Sequence, residues 1–478
     1  MRALYASVGA QITLHDVEAP VVCALRRHLS FPNPEYETFR RFGEDPPAEI
    51  TPRLCCVEEF PNASLAVPRG ALDAVRLVAS ACGFAIKFRT DNRSKGSDLG
   101  PLPLSSLSLR DYQETGVAEL KRLVQGLVVL PCGSGKTTLG IASIASLRRT
   151  TLVIVHTLDL AQQWCEGIER HLGIAPARFC GGKHELGPIT VATVQSLFSR
   201  PDTDLSSFGL CIHDECHRAP ARTSQEVLSR CPARWRLGLT ATPEREDGLA
   251  PLVQWSFGDT ILEMSVDELA TDGWLLLPRV VALATDFNFS CPEHFSSRQR
   301  TNLLRQAVVR DPHRNSLVAD AISDRCAGHT SLVLTNDKSH CDTLAALLKD
   351  RGHDPVVITS DVAKGKRQKL LESLRGGSCI LAIATSLADE GLDVPRLSRV
   401  FLALPERAKG RTKQRAGRLM RPFGDHRAEL IDFVDSRVPT LLSRWRSRRS
   451  VYVSLGLEVS DLSSPLVLPG FEEPPRAS

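Results

Sequence analysis

Two short stretches carry the residue types that phosphoryl chemistry needs. The first is Leu127-Val-Val-Leu130-Pro131-Cys132-Gly133-Ser134-Gly135-Lys136-Thr137-Thr138. It is an apolar run of strand length, then a glycine-rich turn, then Lys-Thr at the head of a helix-like segment ending near Leu147. The backbone N–H groups of such a turn and the N-terminus of the helix face an anion, and a lysine ammonium adds a point charge. The Thr137 hydroxyl, next to that lysine, is placed to ligate Mg2+. The loop departs from G-x-x-x-x-G-K-[ST] at one position, with Leu130 in place of the first glycine. The second stretch is Phe208-Gly-Leu-Cys211-Ile-His213-Asp214-Glu215-Cys216-His217, an apolar strand ending in two carboxylates. Asp214 can hold Mg2+ through water, and Glu215 can orient and deprotonate the attacking water. Phosphoryl transfer asks for little more than a metal, a charge clamp, an oriented nucleophile and an arginine. Cys211, His213, Cys216 and His217 are ligand types too, but their spacing fits no common zinc pattern, and a strand points neighbours apart.

Such groups need a sheet to hold them side by side. From Leu109 to about Pro278, strand-like runs at 126–130, 151–155, 189–193, 208–213 and 236–240 alternate with helical segments. A second alternating block, from about Val280 to Val453, has runs at 331–335, 355–358, 379–384, 398–403 and 429–433. Alternation of this kind predicts parallel sheets, so the expected class is α/β with two tandem parallel-sheet domains and a cleft between them. The boundaries predicted are 101–278 and 279–453, preceded by a small α+β unit over 1–100 and followed by a mobile tail over 454–478 that is rich in Pro and Ser near its end.

The 478 residues leave room for these domains, and 42% hydrophobic with 24% charged residues excludes a disordered or fibrous class. No apolar run approaches the length a membrane span needs, and the N-terminus lacks a signal-peptide pattern. The fourteen cysteines contain no C-x-x-C pair, which points to a reduced, cytoplasmic setting. A net charge of +4 does not by itself argue for nucleic acid. Its distribution says more: Arg407, Lys409, Arg411, Lys413, Arg415, Arg418, Arg421, Arg437, Arg444, Arg446, Arg448 and Arg449 crowd one stretch, either a solvated helix face or a phosphate-binding one.

In the first hundred residues, Arg53-Leu-Cys-Cys-Val-Glu predicts a strand and Ala71 to Cys82 a helix. Leu29 to Tyr36 and Val67 to Gly70 predict turns or loops, and Asp91 to Pro103, rich in Gly, Pro and Ser, predicts a linker. Arg26, Arg27, Phe31, Tyr36, Phe39, Arg40 and Arg41 combine aromatic rings and cations. They either stack on bases and hold phosphates or fill a small core.

Taken together, the motifs resemble those of superfamily-two helicases of the DExH kind. Besides the two stretches above, Arg110-Asp-Tyr112-Gln113 resembles the adenine-sensing motif. Val155-His156-Thr157 with Gln163-Trp164 resembles motif Ia, and Thr193-Val-Gln195-Ser the next strand-binding motif. Gly238-Leu-Thr240-Ala-Thr242-Pro243 is similar to motif III and Leu332-Val-Leu-Thr335-Asn336 to motif IV. Ala384 to Pro395 is similar to motif V and Gln414-Arg415-Ala-Gly417-Arg418-Leu-Met-Arg421 to motif VI. The form of the phosphate loop and Arg245-Glu246-Asp247 resemble the XPB/UvsW branch of DNA helicases.

The resemblance covers roughly residues 105–450 and implies two RecA-like domains, ATP and Mg2+ as cofactors, and DNA, single-stranded or branched, as partner. It implies catalytic roles for Lys136, Asp214, Glu215, Gln414, Arg418 and Arg421. It implies nucleotide contacts from Arg110, Gln113, Gly133, Ser134, Gly135, Lys136, Thr137, Thr138, Gly391 and Asp393, and metal contacts from Thr137 and Asp214. Gln414 stands where DEAD-box RNA helicases usually have His, which makes RNA the less favoured substrate. The activity implied is an ATP-dependent DNA helicase or translocase in repair or recombination, travelling 3′ to 5′. A duplex-DNA translocase of a restriction or conflict system and an ATP-switched nucleic-acid clamp are the alternatives, and no protein partner is indicated.

Overall fold

The computed structural model describes residues 1–103, 107–219, 222–241, 248–291, 296–385, 394, 396–404, 412, 415–417, 419–420 and 428–462. The chain folds as two compact units, one covering residues 1–131 and 135–264, the other residues 132–134 and the chain from Ser265 onward.

The first unit opens with a five-stranded sheet in the order Glu58–Glu59, Leu65–Pro68, Gln11–His15, Arg2–Val8, Phe84–Asp91. Alternation along its strands buries Leu4, Ala6, Ile12 and Leu14 with Val21 and Leu25 of helix Ala19–His28 and with Val75 and Ala79 of helix Leu72–Ala81. The expected helix over 71–82 is therefore present. The expected strand at Arg53 is shorter, Arg53–Cys55, and pairs with Ser30–Pro32 inside a segment expected to be loop. Helix Pro34–Arg41 follows because Asn33 caps it through Glu35 N–H and Pro34 supplies a helix-compatible φ.

Asp91 to Pro103 is not the loose linker expected. It lies along the starting ends of three strands of the next sheet. Ser94 exchanges backbone hydrogen bonds with Pro232 and Arg234 (2.8 and 2.7 Å), Ser97 accepts from Thr150 N–H at 3.0 Å, and Leu99 donates to Arg148 at 2.9 Å. Gly96 and Gly209 are glycines for close approach: a Cβ at Gly96 would lie 2.4 Å from Gly209 N, and one at Gly209 would lie 2.2 Å from Lys95 O. The small-residue composition serves backbone contact rather than flexibility.

Two buried arginines complete the join. Arg69, 2% exposed, donates to Gln125 Oε1 (2.6 Å) and to the carbonyls of Ala233 (2.7 Å), Gly9 (3.3 Å) and Arg234 (3.3 Å). Arg236, also 2% exposed, donates to the carbonyls of Cys231 (2.8 Å), Leu228 (3.0 Å), Ala10 (3.1 Å) and Ser256 (3.3 Å). Phe31 stacks on Trp255, ring centroids 5.3 Å apart. The N-terminal sheet and the first α/β sheet thus share one packed boundary.

That α/β sheet has seven parallel strands in the order Ala177–Phe179, Ile189–Thr193, Thr151–Val155, Leu210–Asp214, Trp235–Thr240, Gln125–Val129, Thr260–Glu263. Helices cover it, so the central strands are buried along their whole length and mostly aliphatic. The two edge strands, three and four residues long, lay outside the sequence expectation.

The second unit carries six parallel strands in the order Arg279–Thr285, Glu429–Asp435, Leu397–Leu402, Thr330–Leu334, Leu381–Ala384, Val356–Ile358. Strand Glu429–Asp435 holds two buried ion pairs: Arg314 Nε to Asp435 at 2.6 Å, and Arg448 Nε to Asp432 at 2.8 Å with the Tyr452 hydroxyl donating to the same carboxylate. Arg448 therefore leaves the phosphate-binding face proposed for the basic stretch. Residues 457–460, assigned to the tail, pack instead: Leu457 is buried, Val459 bridges to Val280, and Ser460 bonds to Val280 and Ala282. Residues 463–478 lie outside the described residues. Among the described residues, no helix is long and apolar enough to cross a membrane.

Candidate active site

The site stands at the C-terminal ends of adjacent parallel strands, where open α/β sheets bind ligands. Strand Gln125–Val129 feeds the glycine-rich turn, and helix Lys136–Leu147 leaves it. Gly133 and Gly135 both have φ of +85°, a conformation a side chain resists. At Gly135 the reason is also steric, since a Cβ there would lie 2.5 Å from Gln113 Nε2. Ser134 is buried within the turn, and Thr137 and Thr138 open the helix half-exposed. Lys136 Nζ donates to the carbonyls of Leu130 (3.0 Å) and Pro131 (3.2 Å), which holds the ammonium over the loop.

Gln113 is 2% exposed. Its Oε1 accepts from Arg110 N–H at 3.0 Å and its Nε2 donates to Gly135 O at 3.2 Å. Arg110 in turn donates to the Tyr112 hydroxyl at 2.9 Å. The Gln113 amide thus grips the phosphate loop.

Strand Leu210–Asp214, between Thr151–Val155 and Trp235–Thr240, delivers the two carboxylates. Asp214 is 5% exposed; its Oδ1 accepts from Glu215 N–H at 3.0 Å and its Oδ2 from Trp164 Nε1 at 2.8 Å. Burial, then the neighbouring Glu215 charge, pushes the Asp214 carboxyl up, against the Trp164 N–H and the Lys136 ammonium. Burial works the same way on Glu215, yet the His217 hydrogen bond, Lys136 and Arg218 outweigh it and hold Glu215 below the usual carboxylate range.

Glu215 turns in the left-handed region, φ +51°, which costs a non-glycine residue about 1–2 kcal/mol. That turn brings its Oε2 to 3.3 Å from His217 Nδ1, which also meets Thr240 Oγ1 at 3.2 Å. The carboxylate turn is thereby tied to the strand carrying Gly238-Leu-Thr240. His213 and His156 face each other, ring centroids 5.3 Å apart, and burial pushes them down to about 3 and about 4. Cys211 and Cys216 belong to the apolar core beneath.

The donor set fits Mg2+. Glu215 Oε2 is buried with His217 Nδ1 on one side, two carboxylates abut at the strand end, and a threonine hydroxyl opens the loop helix. Hard oxygen donors of this kind suit Mg2+ rather than a thiolate-seeking metal.

Sequence reasoning missed Trp164 as part of this site. It falls in the segment that resembles a strand-binding motif, and on helix Leu158–Leu172 it shares the buried face of Ala161, Cys165 and Ile168, where a tryptophan is indistinguishable from core. Gly391, Asp393, Gln414, Arg418, Arg421 and Arg245 to Asp247 lie outside the described residues.

Comparison with known proteins gives both halves of the chain a family. Residues 106–245 match the family described as the res subunit of type III restriction enzymes, and residues 314–422 match the helicase conserved C-terminal domain. A DNA 3′-5′ translocase XPB2 of Sulfurisphaera tokodaii is 28% identical over 368 residues, 70% of this chain and 83% of that protein. A DNA 3′-5′ helicase XPB of Kineococcus radiotolerans is also 28% identical, over 69% of this chain and 60% of that protein. The chain is a superfamily-two helicase related to XPB. Among solved structures, a fragment of an HsdR subunit of a type I restriction enzyme from Vibrio vulnificus aligns with a TM-score of 0.55 at 20% identity, over 74% of this chain and 68% of that one. Dbp5 of S. cerevisiae aligns with a TM-score of 0.53 at 15% identity, over 75% of this chain and 95% of that one. These likenesses agree with the RecA-like sheets described above. This XPB-related helicase spans 83% of the first relative's length but only 60% of the second's.

Proposed function

We propose that the chain is an ATP-dependent DNA motor that travels 3′ to 5′ along one strand and separates or remodels branched DNA in repair or recombination, in the cytoplasm. The observation that carries this reading is the site of the first unit. Lys136 on its loop and the buried pair Asp214–Glu215 stand at the same end of one sheet, with His217 joining the pair to Thr240. In this reading the loop N–H groups and Lys136 hold the β- and γ-phosphates. Glu215, kept ionised by His217 and Lys136, orients the attacking water and takes its proton. Thr137 and, through water, Asp214 would hold Mg2+, which would neutralise charge on the phosphate oxygens. Arg418 and Arg421 supply the remaining positive charge of the transition state, Gln414 hydrogen-bonds beside them, and Gly391 and Asp393 contact the nucleotide. A hydrolytic set of this completeness argues against a mere ATP-switched clamp.

A second reading, a translocase that moves on duplex DNA without parting the strands, is favoured by the restriction-enzyme family matched over residues 106–245. Strand displacement measured beside triplex displacement separates the two. Unwinding of a forked duplex supports the first reading; triplex displacement with no unwinding supports the second.

A further inference from the structure

Trp164 joins three elements of the proposed ATP site. Its indole is fully buried. On one side Nε1 donates to Asp214 Oδ2 at 2.8 Å. On another the ring lies against Gly140 of the phosphate-loop helix, where an added Cβ would come within 2.4 Å of Trp164 Cη2. The residue itself rides on helix Leu158–Leu172, which begins at the Thr157 cap, where Thr157 Oγ1 accepts from Leu160 N–H at 3.2 Å. From that cap to Trp164 is about two helical turns, roughly 10 Å of rigid helix.

A buried indole N–H takes an acceptor, and here the acceptor is a carboxylate of the proposed metal site. Asp214 has its other oxygen on Glu215 N–H, so the Trp164 hydrogen bond fixes the rotation of the carboxylate and hence which lone pairs face the phosphate loop. A charge-assisted hydrogen bond in a buried site holds such an orientation firmly. The turn at Thr157 and the start of its helix form the segment that resembles a strand-binding motif. A shift of that helix moves the indole, and the indole moves Asp214.

We infer that Trp164 is a positioning residue that sets the metal-holding oxygens of Asp214 and couples them to the segment beginning at Thr157, so that DNA on that segment raises divalent-cation affinity at the nucleotide. The inference rests on the proposed motor function and deepens it. By linkage the effect is reciprocal: whatever factor DNA adds to cation affinity, the cation–nucleotide complex adds to DNA affinity.

The test uses the full chain with ADP and Mn2+ as the probe for Mg2+. Free Mn2+ is read by electron paramagnetic resonance, and labelled single-stranded DNA by anisotropy. Trp164→Phe should bind ADP in metal-free buffer like the parent and lose about tenfold or more in Mn2+ affinity, as expected for a lost charge-assisted hydrogen bond. It should also lose most of the mutual enhancement between DNA and Mn2+–ADP. Trp164→His, smaller but still a ring N–H donor, should retain more Mn2+ affinity than Trp164→Phe. Mn2+ affinity within twofold of the parent in Trp164→Phe overturns the inference. So does the reverse ranking of the two variants, which marks a packing role, and so does a loss of metal-free ADP binding. Should neither variant fold, the parental chain decides. Mn2+–ADP must quench the most blue-shifted tryptophan emission, that of the one fully buried indole, and no change there overturns the inference. A parental chain whose Mn2+–ADP affinity ignores DNA, in which Trp164→Phe still loses Mn2+, contradicts the coupling and the motor reading but not the hydrogen bond to Asp214.

Discussion

In the proposed mechanism Lys136 and Glu215 divide the work on ATP, and substitution should separate them. Lys136→Ala is expected to weaken nucleotide binding, measured by equilibrium titration. Glu215→Gln is expected to bind ATP normally and to lose about 10²–10⁴-fold in turnover, the usual worth of general-base assistance. Parental turnover in Glu215→Gln would remove that residue from the chemistry. Arg421→Ala should lower turnover by roughly 10³–10⁵-fold with DNA affinity retained, as for other transition-state arginines. Weakened DNA binding at normal maximal rate would make it a backbone contact instead. At this scale the sequence showed the phosphate loop and the carboxylate pair, because spacing along the chain carries them. It did not show the Gln113 grip on Gly135 or the Trp164 bond to Asp214, because both join segments far apart in sequence and depend on how helices dock on the sheet.

The central strands were legible because burial on both faces makes them unbroken apolar runs, as in Thr151–Val155 and Ile189–Thr193. The short edge strands Ala177–Phe179 and Thr260–Glu263 are only partly buried and carry no such signal. The caps are a second local device, and Asp337 offers a test. Its Oδ1 accepts from Ser339 N–H (3.0 Å) and His340 N–H (3.3 Å) at the start of helix Lys338–Asp350, and its Oδ2 accepts from Arg305 at 2.7 Å. Burial pushes this carboxyl up, but Ser339, Arg305 and the His340 amide outweigh it and hold it at about 2 against an ordinary 3.8. A carboxylate depressed on folding stabilises above its unfolded value and loses that contribution as pH falls through the folded one. Asp337→Ala should therefore destabilise the second unit by about 1–2 kcal/mol at neutral pH. The deficit should shrink as pH falls from about 4 toward about 2, as read by calorimetry. An equal deficit at both ends of that range would mean the carboxylate charge is irrelevant to the cap.

The whole molecule departs most from its sequence at the N-terminal unit. A linker composition at Asp91 to Pro103 predicted an appendage, and a chain starting near Leu104 would then fold alone. In the structure that segment is laid against the strand starts, and Arg69 inserts among Gln125, Ala233 and Arg234. Removing residues 1–103 strips Arg236 of its Ala10 acceptor and uncovers Trp255. The fragment is thus expected to be insoluble or to melt well below the full chain. Arg69→Met in the full chain should cost about 1–3 kcal/mol, the scale for leaving buried acceptors without their donor. A soluble fragment with a parental melting temperature would restore the appendage view. Of the two readings of the aromatic and basic residues of this unit, Phe31 follows the core one, packed on Trp255, while Arg26 and Arg40 stay on the surface beside Glu59 and Asp45. The motor reading itself predicts a steep salt dependence of single-strand binding, with a log–log slope of about −0.7 per phosphate contact. Its most direct test is the steady-state ATPase rate of the full chain with and without single-stranded DNA, with RNA alongside. A DNA motor gives a low rate alone, a large rise with DNA and a smaller one with RNA; a rate unchanged by any nucleic acid would mean the chain is not one.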